Sequence, residues 1–166
     1  MHRTKEEKRS AQQRELSVGM KRLLTGYRTL LEGALEGEDI TLAQLRMLNA
    51  LNDRAETSAA ELARTCYITP QSMQAIVTKA ERAGWITRSA SSSNRRVLSA
   101  TLTVAGQQVL RRGLSLARDI EQQIWGTSSA KELRAFNATL SKVLLSLQQH
   151  LDARHAEQQV SRGKTA

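Results

Sequence analysis

One cysteine, one proline and five aromatic residues are spread over 166 positions, and no apolar run approaches the roughly 18 residues of a membrane span. The lone Cys66 excludes an internal disulfide framework and leaves three scattered histidines as the other soft ligands. His150 and His155 are five apart, off the three-or-four spacing that puts two ligands on one helical face, so no metal site is expected. Neither a Ser-His-Asp or Cys-His arrangement nor a glycine loop for phosphates is evident, so neither an enzyme nor a cofactor is expected. The polar stretch Met1 to Ser10 lacks the apolar centre of a secretory signal, which predicts a cytoplasmic protein without a membrane partner.

What is present is positive charge, unevenly placed. The net charge is +9. Between Leu62 and Arg118 lie nine basic residues (Arg64, Lys79, Arg82, Arg88, Arg95, Arg96, Arg111, Arg112, Arg118) and one acid, Glu81, so almost the whole excess sits in that window. A solvated surface usually mixes signs, whereas a polyanionic partner draws cations to one region, which points to nucleic acid.

Scarce proline and abundant Leu, Ala, Gln, Glu and Arg favour helices. The first helix starts within the charged run before Leu16 and ends near Gly33 or Gly37. Its stripe of Leu16, Met20, Leu23, Tyr27, Leu30 and Ala34, spaced by threes and fours, is narrow enough for a seam against a partner chain. Thr41-Leu42-Ala43-Gln44 and Ser58-Ala59-Ala60-Glu61 read as capping boxes, and Thr69-Pro70 as a third helix start. A short helix, a tight connection and a longer helix ending at Gly84 form the layout of a helix-turn-helix. Leu62, Ile68, Met73, Ile76 and Val77 are expected to face the core.

After Gly84 the period shortens. Trp85 to Arg88 and Val97 to Leu102 read as strands on either side of Ser91-Ser92-Ser93-Asn94, a hairpin directly behind the longer helix. Thr103 caps another helix running to Gly126. Ser129-Ala130-Lys131-Glu132 begins a last one carrying Leu133, Phe136, Leu140, Val143, Leu147 and Leu151. The expected architecture is mainly α: six helices with a two-stranded β-wing. Residues 1–13 are expected as a flexible basic arm, 14–40 and 104–152 as dimerisation helices, 41–103 as a winged helix-turn-helix lobe, and 153–166 as a disordered tail.

This order of elements resembles the MarR family over about residues 14–152. The carrying motifs are Glu61-Leu62-Ala63, Thr69-Pro70-Gln71-Ser72-Met73, Glu81 with Gly84 and Arg88, Asn94-Arg95-Arg96, and Leu102-Thr103 with Gly106. Asn94 stands where the family's wing usually has Asp, and Arg96 takes the place of its Arg. Ala80 stands in place of the usual Leu and Trp85 in place of a smaller aliphatic. The resemblance implies a homodimeric, sequence-specific regulator, usually a repressor, that binds palindromic double-stranded DNA and is released by a small aromatic or lipophilic effector.

Candidate DNA contacts are Thr69, Gln71, Ser72, Gln74 and Lys79 on the recognition helix and Arg88, Asn94, Arg95 and Arg96 on the wing, because amides pair with base edges and arginines with phosphate or the minor groove. Leu16, Met20, Leu23, Phe136, Leu140 and Leu147 are the candidate dimer interface, and Tyr27 and Trp85 the candidate effector pocket. Cys66 reads as a small packing residue near a helix end. The alternative reading is an architectural or protein-interaction module with the same fold and no sequence readout.

Overall fold

A computed structural model describes residues 4–90 and 98–163, with side chains through Arg154. Its elements run α1 (Lys5–Leu35), α2 (Leu42–Asp53), β1 (Thr57–Ser58), α3 (Ala59–Thr65), α4 (Pro70–Arg82), β2 (Ile86–Ala90), β3 (Leu98–Leu102), α5 (Val104–Trp125) and α6 (Ala130–Gly163). The chain divides into two compact units, Met1–Gln122 and Gln123–Ala166.

Local chemistry starts most of the helices. At Thr41, Ser58 and Ser129 a hydroxyl accepts from the backbone N–H three residues on, and the Gln44, Glu61 or Glu132 side chain accepts from the capping residue's own N–H. Each box satisfies two donors that a helix start leaves free and is worth about 1 kcal/mol. A fourth box, Thr4 with Glu7, corrects the expectation of a flexible arm over 1–13: the helix already begins at Lys5. The expected disordered tail from 153 is corrected as well, since the α6 backbone stays helical to Gly163. Ala153, Arg154, Ala156, Glu157, Gln158 and Gln159 are good helix formers, so the helix persists beyond its last apolar position.

In the first unit α2 packs against α4, α3, β3 and α1. Met47 and Leu48 of α2, Leu62 of α3, Met73 and Val77 of α4 and Ile86 of β2 are buried together with Leu31 and Leu35 of α1 and Val109, Leu110 and Ile120 of α5. Each such side chain contributes about 1.5–3 kcal/mol relative to exposure. Of the five residues expected to face the core, Leu62, Met73 and Val77 are buried, while Ile68 and Ile76 are half-buried.

The sheet is antiparallel in the order β1-β3-β2. Ile86 pairs with Leu102 and Ala90 with Leu98, which makes the expected hairpin. Thr57 and Ser58 add a third strand by pairing with Ala100 and Ser99. The first turn of α5 docks tightly on the start of this hairpin. The Thr103 N–H donates to the Trp85 carbonyl, its hydroxyl donates to the Gly84 carbonyl, and Gly106 has no room for a side chain because the Trp85 carbonyl lies against it.

In the second unit the Trp125 and Phe136 rings meet at 5.6 Å between centroids. Leu133, Phe136, Val143, Leu144, Leu145, Leu147 and Leu151 of α6 remain exposed in the single chain.

Candidate nucleic-acid interface

The sequence of α4 separates two faces. Met73, Val77 and Ala80 point into the core, at steps of four and three. At 3.6 residues per turn, Gln71, Ala75, Thr78 and Arg82 fall on the opposite side, flanked by Gln74 on one edge and Ser72 and Lys79 on the other. Thr69, Gln71, Ser72, Gln74 and Lys79, the residues singled out from sequence, are all exposed. Arg82 was not among them. Its signal was the spacing of three or four residues down from Gln71 through Ala75 and Thr78.

The N-terminal end of α4 is held in place before any partner arrives. Thr69 Oγ1 accepts from the Ser72 N–H at 3.1 Å and donates to Ser72 Oγ at 2.8 Å, and Pro70 occupies the first helical position. Ahead of it Tyr67 is 91% exposed and holds a left-handed backbone (φ 56°), an uncommon conformation for a bulky residue.

The wing base differs from expectation at Arg88. This half-buried residue is not a free cation, because its guanidinium donates to the Glu81 carboxylate at the end of α4. The hydrogen bond and the charge of Arg88 hold the Glu81 carboxyl below the usual glutamate range, and the same pair raises the guanidinium further. The charge of Arg88 is legible in the sequence and its partner is not, because the pair joins a helix end to a strand and neither element's period fixes a contact across the turn. Asn94, Arg95 and Arg96 lie outside the described residues.

Among the other cations, Arg64, Lys79, Arg82, Arg111 and Arg118 are exposed, while Arg112 pairs with Glu38 at 3.1 Å and braces α5 against the α1–α2 connection. Of the candidate interface residues, Leu16, Met20, Phe136 and Leu147 are exposed and Leu23 and Leu140 are half-buried in the single chain.

Two concavities flank the lobe. A groove of about 560 Å³ lies between Pro70, Gln74 and Val77 of α4 and Arg88, Leu98 and Ala100 of the hairpin. A cavity of about 590 Å³ is bounded by the end of α1, the α1–α2 connection, α2 and the α3–α4 turn. Arg28, Leu35, Ile40, Leu42, Arg46, Cys66 and Ile68 are in its wall. Tyr27 and Trp85, proposed from sequence as pocket residues, do not line it. Tyr27 instead donates to Glu121 at 3.3 Å, where burial and that carboxylate raise its phenol, and Trp85 is engaged at the α4–β2 junction. Cys66 is half-buried, and burial pushes its thiol up despite Arg46 nearby. The described residues contain no group of three or more His, Cys, Asp or Glu able to hold a metal, and no helix among them is long and apolar enough to cross a membrane.

Comparison with known proteins matches residues 38–97 to the MarR family. The HTH-type transcriptional repressor Rv2887 of Mycobacterium tuberculosis is 34% identical over 110 residues, which are 66% of this chain and 79% of that protein. The crystal structure of the same protein in complex with DNA has a TM-score of 0.66 at 28% identity and covers 77% of this chain and 96% of the other. Its complex with salicylic acid has a TM-score of 0.64 at 32% identity, covering 77% and 95%. With a polar recognition helix, a hairpin wing beside it and this kinship, the chain belongs to the MarR family of winged helix-turn-helix, DNA-binding transcriptional regulators.

Proposed function

We propose that this protein is a cytoplasmic homodimeric repressor without catalytic activity. Each protomer lays α4 in the major groove of a palindromic operator, with Gln71, Ser72 and Gln74 reading base edges and Thr69, Lys79 and Arg82 fixing phosphates. Asn94, Arg95 and Arg96 fall between β2 and β3 in the chain and are assigned to the flanking groove. The observation that carries the reading is the outward face of α4: every amide and hydroxyl singled out on it is exposed, while Met73, Val77 and Ala80 are spent on the core.

Pairing of two copies is supported by α1 and α6, where Leu16, Leu24, Leu30, Phe136, Leu144 and Leu147 are 44–66% exposed in one chain. Apolar surface of that extent is usually covered in the working assembly. Release by a small aromatic acid is supported by the salicylic acid complex of the Mycobacterium tuberculosis relative. The cavity beside α1 and α2 is lined by Leu35, Ile40, Leu42 and Ile68, an apolar surface for an aromatic ring, together with Arg46, Arg28 paired to Glu32, and the carboxylates of Glu36 and Asp39, so Arg46 is the cation assigned to a ligand's carboxylate.

Selection of duplexes from a random-sequence pool tests the reading. A palindromic motif should emerge and bind at least about 1,000-fold tighter than random duplex at the same salt. Equal affinity for both would identify an architectural binder instead. Gln71→Ala should reduce that ratio by about tenfold or more, as expected for one lost base contact.

A further inference from the structure

Two charged side chains tie the recognition helix to the wing. Glu81 is the next-to-last residue of α4, and Arg88 is the third residue of β2, with the Gly84 turn (φ 72°) between them. Their side chains are only 35% and 24% exposed, and Arg88 Nη2 donates to Glu81 Oε2. Arg88 Nε is buried with no hydrogen-bond partner among the described residues, so one end of the guanidinium carries the contact.

The two residues belong to different bodies. Arg88 is a rung of the sheet, opposite Ala100, which also faces Thr57 of β1. Glu81 rides on the helix. The groove described above is lined by both, Arg88 and Ala100 of the hairpin and Gln74 and Val77 of α4, and also by residues 58–60 at the start of α3. The hairpin is also held at its base by the Trp85 N–H on the Ala80 carbonyl and by the pairing of β3 with β1, so a pivot at residues 83–85 works against these contacts. A charge-assisted hydrogen bond spanning the turn opposes that pivot, and partial shielding makes it stronger than a fully exposed ion pair.

The sign of the charge adds a second argument. Glu81 is the lone acid between Leu62 and Arg118, in the lobe that meets phosphate. A carboxylate there repels DNA, so its presence calls for a role that offsets the repulsion. We propose that the Glu81–Arg88 pair is a strut that sets the inclination of the wing to α4, which makes Arg88 a positioning residue and not a DNA contact. This inference rests on the DNA-binding role of the lobe.

The test uses the full chain and a duplex selected by the wild-type protein from a random pool, read by titration and hydroxyl-radical footprinting. On charge alone, Glu81→Gln should tighten binding. The strut predicts the reverse: binding weakened about 5- to 10-fold, within the range for coupled charges, with flanking protection lost and protection by α4 retained. Arg88→Gln should behave alike, and the reversed pair, Glu81→Arg with Arg88→Glu, should recover most of the loss. Arg88→Lys, which keeps the charge and perturbs the fold least, should lie between wild type and Arg88→Gln. Each variant is compared at matched helical circular dichroism.

Equal or tighter binding by Glu81→Gln overturns the proposal. So does a loss confined to Arg88 variants, which would place that guanidinium on the DNA. A wild-type protein that selects no duplex fails earlier, and that failure belongs to the regulatory reading.

Discussion

Replacing Gly106 with alanine adds one methyl where α5 meets the hairpin. In an open helix the change would stabilise by about 0.5–1 kcal/mol, because glycine forfeits more backbone freedom on folding. Here a Cβ on Gly106 would press on the Trp85 carbonyl oxygen and lie 2.8 Å from its carbon and 3.2 Å from its Cα. These are backbone atoms that cannot swing aside. That carbonyl also accepts the Thr103 N–H at 3.0 Å, and the Gly106 N–H donates to Thr103 Oγ1 at 3.0 Å.

Relief therefore shifts the helix or breaks the Thr103–Trp85 bond. Overpacking costs about 1–3 kcal/mol. The hydrogen bond adds about 0.5–1.5 kcal/mol. After the propensity gain, the net loss is about 0.5 to 4 kcal/mol, or about 1–16 °C in melting temperature for a chain of this size. Thermal circular dichroism at fixed protein concentration reads it directly, since dimer stability varies with concentration. Gly33→Ala is the control, because no heavy atom lies within 4 Å of its added Cβ and it should melt at or slightly above wild type. A Gly106→Ala protein as stable as wild type would refute the tight docking of α5 on the wing base.

Three further outcomes are expected. Cys66, with its thiol raised by burial, should react with a disulfide reagent at pH 8 much more slowly than a free cysteine does, and a matching rate would contradict the packing role. Glu81 is held low by the hydrogen bond from Arg88, Glu61 by bonds from Ser58 and Glu132 by bonds from Ser129. A depressed folded-state value means their stabilisation is complete above the ordinary glutamate pKa of about 4.3 and drains away as pH falls through the lower folded values. The urea midpoint should therefore fall between pH 5 and pH 3, and a flat profile would count against these contacts. Leu147→Asp places a carboxylate on an exposed apolar face of α6 and should weaken self-association by about tenfold or more in sedimentation equilibrium, with helical content retained.

Much of the fold was legible because its signals are local. The boxes at Thr41, Ser58 and Ser129 each occupy four consecutive residues, and the apolar steps that follow identify a buried face. The box at Thr4 is built the same way and opens the charged run expected to hold the helix start, but with no apolar stripe until Leu16 the residues up to 13 read as an arm. β1 was hidden because two residues carry no period, and its pairing is set by Ser99 and Ala100, some forty positions away.

The candidate site divides along the same line. The exposed residues of α4 followed from helical spacing, whereas the partners of Arg88 and Arg112 depend on which elements the fold brings together. Tyr27 and Trp85 enter as pocket candidates through the family resemblance, with no local pattern behind them. The cavity wall instead comes from chain ends and turns that only tertiary packing assembles.

Ser58 serves two elements at once: it is hydrogen-bonded into the sheet opposite Ser99, and its hydroxyl caps α3. The hairpin and the helix-turn-helix thus share a bolt and transmit torque to one another. A push on the hairpin is therefore felt at the start of α3, and a shift of α3 is felt along β3.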